Sequence, residues 1–189
     1  EESLKILKET NALLEGHFIL SSGLHSPKYV QCAKLMSRPE EALKICTSLS
    51  EKIKKEFKEF DIILSPAIGG IVVGYEIGRL MNKETLFTER VNGKFELRRG
   101  FEINKNHKIL IVEDVITTGK SSIECSNLAE NLGAKVIGYA CIIDRSDGKS
   151  NIKEKIVSQI KLNIPTFNKA NLPEYLSNIK AIKPGSRNL

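Results

Sequence analysis

The chain has 189 residues, 41% of them hydrophobic and 28% charged, enough for a buried core and suited to one domain or a core with a small appendage. Its formal charge of +6 is spread over lysines in segments of helical periodicity, with no basic arm interleaved with aromatics, which argues against a nucleic-acid partner and leaves a solvated surface that also suits a small polyanion. Cys32, Cys46, Cys125 and Cys141 lack CxxC spacing, and no run reaches transmembrane length nor does a charged-then-apolar leader follow Glu1, so the expectation is a soluble cytoplasmic protein with free thiols and no membrane partner.

Leu4, Leu7 and Leu14 stand near helical spacing and predict a helix from Ser3 to Glu15, with Gly16 as its stop. From His17 to Cys32, two short β-prone pieces flank a turn rich in Ser, Gly and Pro and predict a small hairpin outside the core. It is either a surface connection or, through Ser21, Ser22 and Gly23, a source of hydroxyl and backbone donors for an anionic ring. Pro39 opens a long helix reaching Phe57, whose apolar stripe is Ala42, Leu43, Ile45, Cys46, Leu49 and Ile53.

Asp61 to Leu64 reads as a buried strand, Ser65 to Gly70 as a loop and Ile71 to Leu80 as a helix. Ala67, Ile68 and Gly69 carry little polar side chain, so this loop either brings backbone amides close to a ligand or is a turn chosen for packing. A strand at Thr85–Thr88 leads into residues 89–100, where Asn92-Gly93 signals a hairpin with basic residues on both arms. Such a hairpin is either a lid over a pyrophosphate or a solvated excursion.

The most informative stretch runs from Lys108 to Leu132. Ile109 to Val112 read as a buried strand, Glu113 and Asp114 follow, and Thr117-Thr118-Gly119-Lys120-Ser121 open a helix carrying Cys125, Leu128, Ala129 and Leu132 on one face. Free amides, hydroxyls and the macrodipole at a helix N-terminus favour a phosphate. A P-loop needs glycine where Asp114 stands, and a dinucleotide fingerprint needs three glycines where only Gly119 is present, so both are excluded. Two carboxylates beside a phosphate repel it unless they bind another part of the ligand, such as ribose hydroxyls or a metal ion. Gly133 ends the helix, and Lys135–Ile143 forms another strand leading to Asp144-Arg145, where the guanidinium either meets a carboxylate or lies in a surface turn. An edge strand over Ile156–Ile164 and a short helix near Pro173–Leu176 complete the chain. Alternating strands and helices with their loops at one sheet edge predict a mostly parallel α/β fold.

A strand, two acids, two apolar residues and TTGKS resemble the 5-phosphoribosyl 1-pyrophosphate (PRPP) loop of the type I phosphoribosyltransferases. Taken in order, FILSSGLHSP, SPAIGG, FTERVNGKFELRRGF, VEDVITTGKSS, Asp144-Arg145 and the terminal PGSR make nearly the whole chain similar to the short bacterial orotate phosphoribosyltransferases. The resemblance implies one domain over residues 1–189, a central sheet flanked by helices, with about 1–35 as an N-terminal helix and hood over the site. It implies transfer of the phosphoribosyl group from PRPP to orotate, with Mg2+ carried by PRPP or pyrophosphate and not held directly by protein ligands. Glu113 and Asp114 would hold the ribose hydroxyls, and Val115, Ile116, Thr117, Thr118, Gly119, Lys120 and Ser121 would form the 5'-phosphate loop. Ala67, Ile68 and Gly69 would form the pyrophosphate loop, often with a cis peptide bond. Thr117, Arg145, Ser21, Ser22, Gly23 and Tyr29 would contact orotate.

Across a homodimer, the basic hairpin would reach the neighbouring site, with Arg90 on PRPP and Lys94 as its catalytic lysine beside Asp114. The longer enzymes of the family carry lysines where Ser21 and Gly69 stand and a longer hairpin with a histidine, so Arg98 and Arg99 compete with Lys94. Two rivals remain: a phosphoribosyltransferase for another base, and a PRPP-sensing regulator, for which no helix-turn-helix module is visible.

Overall fold

The computed structural model describes residues 1–20 and 22–184. Ser21 and the Gly185-Ser186-Arg187 part of PGSR lie outside the described residues. The elements are α1 (Glu2–Glu9), β1 (Leu13–Ile19), β2 (His25–Val30), α2 (Cys32–Met36), α3 (Pro39–Glu56), β3 (Ile62–Pro66), α4 (Gly69–Met81) and β4 (Glu84–Val91). There follow β5 (Lys94–Leu97), β6 (Lys108–Ile116), α5 (Lys120–Asn131), β7 (Lys135–Asp144), β8 (Ile156–Lys161), a 3-10 turn (Lys169–Asn171) and α6 (Glu174–Ser177).

The six-stranded sheet has the order β5-β4-β3-β6-β7-β8, parallel except for β5, which pairs antiparallel with β4. Its inner strands are apolar runs because helices cover both faces. On one face Ile45, Cys46, Leu49 and Ile53 of α3 and Val73 and Ile77 of α4 pack against Ile63, Leu110, Val112 and Ile142. On the other, Cys125 and Ala129 of α5 meet Leu64, Ile109, Ile111 and Tyr139. Helix α3 forms where its charges suit it: Pro39 occupies the first turn with Glu40 and Glu41, and Lys54 and Lys55 stand in the last.

From β3 the chain goes to β4 on one side, and β6 flanks β3 on the other. The strand order therefore reverses between β3 and β6, and in open α/β sheets ligands bind beyond the strand ends at that point. Both predicted ligand loops, 67–69 after β3 and 117–121 after β6, leave the sheet there.

The chain departs from expectation at its start. Helix α1 ends at Glu9, because Asn11 adopts φ 57° and Leu13 and Leu14 pair with Val30 and Tyr29 across a hairpin. Leu14 and Gly16 thus belong to a strand, where cross-strand pairing overrides their helical spacing. The stretch from His17 to Cys32 also reaches the core, where Cys32 is buried and Val30 packs against it, contrary to its reading as a piece outside the core. Helix α2 has no counterpart in the sequence reading, and β8 stops at Lys161 instead of Ile164.

Candidate active site

The acidic pair sits at the end of β6, with Glu113 buried and Asp114 half-buried. Their carboxylates turn back on the backbone: the Asp114 amide donates to Glu113 Oε1 at 3.2 Å and the Val115 amide to Asp114 Oδ1 at 2.8 Å. Burial, and next the negative charge of Asp114, raise the Glu113 pKa well above the usual carboxylate range. A side chain there receives hydroxyls or a cation that would compensate the charge it is otherwise reluctant to carry.

The two crevice loops touch. A Cβ on Gly69 would come within 2.6 Å of Asp114 Oδ2, and one on Gly70 within 3.2 Å of Glu113 Oε1. A side chain at either position would press on these carboxylates and make them shift, so glycine leaves the acidic pair where it stands. The Ala67–Ile68 peptide bond is cis, as the resemblance implied, and neither α4 nor α5 has a side-chain N-cap. The Lys120 amide donates to Thr118 Oγ1 at 3.3 Å and the Ile71 amide to the Ile68 carbonyl at 3.2 Å, which leaves the other first-turn amides of the two helices to meet an anion.

Gly119 caps α5 at φ 81°, a left-handed conformation that glycine adopts without strain. Thr117, Thr118 and Lys120 are exposed. Glu113 and residues 115–122 enclose a cavity of about 180 Å³, several water volumes and on the scale of one phosphate group. Val115 packs against one core and Ile116 lies in the other, so both offer backbone, not side chain, to this cavity.

Ile116 pairs with Asp144 across β6 and β7, and the Arg145 amide donates to the Ile116 carbonyl at 2.8 Å. Arg145 is thereby fixed beside Thr117. It is half-buried, its Nε has no partner among the described residues, and burial lowers its pKa. Asp144 is occupied with the Ser146 amide at 2.9 Å. A desolvated guanidinium with an unpartnered nitrogen is no ordinary surface turn and is suited to receive an anion.

The hood hairpin β1–β2 runs directly into α2, where the Cys32 thiol lies 4.0 Å from the Asp114 carbonyl. Tyr29, three residues earlier, is half-buried with its ring 5.8 Å from that of Phe18. Ser22 and Gly23 are exposed at the hairpin tip.

On the other side, β4–β5 is the expected Asn-Gly hairpin, with Asn92 at φ 50° and Gly93 at φ 81°. Its basic residues are sorted by their contacts. Arg99 donates twice to Glu89, at 2.7 and 2.8 Å, and Arg90 stacks on Phe95 at 4.0 Å, donates to the Gly93 carbonyl and stands 2.7 Å from Glu124 Oε2 on α5. Lys94 and Arg98 are exposed and, among the described residues, form no ion pair. Glu124 was missed in the sequence because only the hairpin's position on α5 reveals it. His17 and His25 were likewise passed over, although both are buried and joined at 2.6 Å.

Among the described residues no cluster of His, Cys, Asp and Glu is arranged to cage a metal ion, and no helix is long and apolar enough to cross a membrane. All four cysteines are free and buried.

Residues 35–178 match the phosphoribosyl transferase domain model, a span that takes in both crevice loops, the basic hairpin and Arg145. Orotate phosphoribosyltransferases from Parvibaculum lavamentivorans and Erythrobacter litoralis are 45% and 42% identical, covering 100% and 99% of this chain and 98% and 97% of theirs. The chain belongs to the orotate phosphoribosyltransferase family. An orotate phosphoribosyltransferase from Aeropyrum pernix shares the fold at a TM-score of 0.73 and 22% identity, over 84% of this chain and 92% of that one.

Proposed function

We propose that this chain transfers the 5-phosphoribosyl group of PRPP to orotate, giving orotidine 5'-monophosphate and pyrophosphate for pyrimidine synthesis in the cytoplasm. The observation that carries the choice of base is Arg145, a half-buried guanidinium with an unpartnered Nε beside the phosphate loop. A neutral purine would leave it without a counterion, whereas the carboxylate of orotate supplies one.

In this reading the 5'-phosphate lies against residues 117–121 and the N-terminus of α5, the ribose hydroxyls meet Glu113 and Asp114, and the pyrophosphate lies along Ala67, Ile68 and Gly69 at the N-terminus of α4. Thr117, Arg145, Tyr29, Ser22 and Gly23, with Ser21, hold orotate. The bond from C1 to the ring nitrogen forms as the bond from C1 to the pyrophosphate oxygen breaks, through a state with positive charge on the sugar. No protein nucleophile is required. Part of the charge on the leaving group would be neutralised by Mg2+ brought in with PRPP. Gly69 contributes no cation to that charge, so the remaining countercharge falls to the hairpin: Arg90, together with Lys94 or Arg98, the two cations free of acidic partners.

We further read the enzyme as a homodimer of single-domain chains, the hairpin serving the neighbouring site. In support, Val72 and Tyr75 of α4 are exposed one helical turn apart, in line with Ile68 of the crevice loop, which is 85% exposed. A second copy seated on that face would lie beside the loop at the N-terminus of α4.

Mixing the protein with PRPP, Mg2+ and orotate and following the loss of orotate absorbance tests the assignment. Turnover with orotate and none with adenine or hypoxanthine is expected; turnover on a purine alone would overturn it.

A further inference from the structure

The hairpin β1–β2 is a two-stranded sheet, and such a ribbon is marginal by itself in water. Here both of its outer edges are taken by the end of the chain. On the β1 side the Ile19 amide donates to the Ile182 carbonyl at 2.8 Å and the Ile182 amide to the His17 carbonyl at 2.9 Å. On the β2 side His25 and Phe167 exchange two backbone hydrogen bonds, each 2.8 Å. A segment from Phe167 to Ile182 thus straddles the hairpin and adds one β-bridge to each of its edges.

Two buried histidines close this arrangement. His17 Nδ1 is 2.8 Å from the Ile179 carbonyl and His17 Nε2 is 2.6 Å from His25 Nδ1. A carbonyl only accepts, so His17 carries a proton on Nδ1; as a neutral imidazole it then accepts at Nε2 from a protonated Nδ1 of His25. The chain of hydrogen bonds is directional and links β2, β1 and the C-terminal segment. It lies at the root of the tip that presents Ser22 and Gly23, because Ile19 and His25 are the register pair flanking that tip.

We infer that the C-terminal segment, through His17 and His25, positions the base-recognition tip of the hood, so that these two histidines act as positioning residues for orotate and not for PRPP. This rests on the orotate reading above. The segment touches neither crevice loop in any hydrogen bond, whereas it holds both strands that frame the tip. Disturbing it therefore shifts the wall of the base pocket and leaves the phosphate sites in place.

Amide hydrogen exchange on the ligand-free full chain tests the clasp. The amides of Ile19, His25, Phe167 and Ile182 are expected to exchange as one unit, and His17→Leu to accelerate all four, although two of them are distant in sequence. Kinetics test its consequence. His17→Leu should raise the KM for orotate about tenfold with kcat and the PRPP KM within about twofold, and His17→Asn, which keeps a donor for Ile179, should recover part of the loss. If His17→Leu is poorly folded, Ile182→Pro, which removes one donating amide of the clasp, must reproduce the split. Independent exchange of the four amides, an unchanged orotate KM in a folded variant, or equal changes in both KM values would overturn the inference. Wild-type protein that uses no orotate would instead overturn the choice of base, with the exchange experiment still deciding whether the clasp exists.

Discussion

Two hairpins border the crevice, and they are held by different physics. The hood β1–β2 buries Leu13, His17, Phe18, His25 and Ser26 and has both edges paired by the end of the chain. The hairpin β4–β5 buries only Phe95 of its second strand and has an open outer edge. Its anchors are ion contacts, Arg99 on Glu89 at the surface and Arg90 on the half-buried Glu124. Exposed ion pairs contribute little because water and salt screen them, while buried backbone pairs are costly to break. The difference suits the hairpins to different work: the hood to act as a frame and the basic hairpin, more weakly tied, to rearrange.

The largest effect expected on the framed side is at Arg145. Arg145→Ala should raise the KM for orotate about thirtyfold to a few thousandfold, the ~2 to 5 kcal/mol that attends loss of one member of a buried charge pair. The PRPP KM should stay nearly unchanged in steady-state assays. An unaltered orotate KM would remove the base from the β7 end of the crevice. On the mobile side, Lys94→Ala should lower kcat about a hundredfold or more with PRPP affinity little changed, as for loss of a group that acts on developing charge. Rapid-quench measurement of the chemical step separates this from slow product release. A normal kcat would pass the role to Arg98, since Arg99 is committed to Glu89.

The same contrast explains what could be read in the sequence. The β6 unit was legible because an apolar run, an acidic pair and a hydroxyl-rich helix start are all local, although the strand runs on to Ile116, four residues beyond the predicted Val112. So were the strand-loop-helix at 62–81 and the Asn92-Gly93 turn. Arg145 could be placed at a strand end, but its burial and vacant nitrogen depend on β6 lying alongside. The hood was misread at its first strand because Leu4, Leu7 and Leu14 imitate helical spacing, and what makes Leu14 a strand residue is Tyr29 opposite it. Glu124, the histidine pair and the C-terminal clasp are invisible in sequence because their partners stand 34 or more positions away or belong to no motif.

A third test concerns the acidic pair of β6. Glu113 holds its proton to a pH above the usual carboxylate range because it is buried beside Asp114. Below the ordinary carboxylate pKa, folded and unfolded chains are both protonated there. Above it the unfolded chain ionises first, so unfolding releases a proton and stability falls as pH rises toward the raised value, with a slope of at most ~1.4 kcal/mol per pH unit. Glu113→Gln should flatten that slope in chemical denaturation curves taken across the window. Binding of PRPP with Mg2+ favours the charged carboxylate, so titration calorimetry in buffers of different ionisation enthalpy should find about one proton released by the wild type and less by the variant. Equal release by both would place the ribose hydroxyls elsewhere.

The smallest effect bears most directly on the hairpin's freedom. Arg90 Nη2 and Glu124 Oε2 are close, but the contact is not aligned as a hydrogen bond, and Glu124 Oε2 has no other partner. The carboxylate therefore restrains Arg90 electrostatically on α5, in competition with the pyrophosphate that would claim the same guanidinium. Glu124→Gln keeps the shape and removes the charge, so the PRPP KM should fall about two- to fivefold at low ionic strength and by less in added salt. Exchange at the β4–β5 amides should speed up while that of the hood is unchanged. A higher PRPP KM in the variant would mean that Glu124 aims Arg90 at the substrate, and the hairpin would then be preset like the hood.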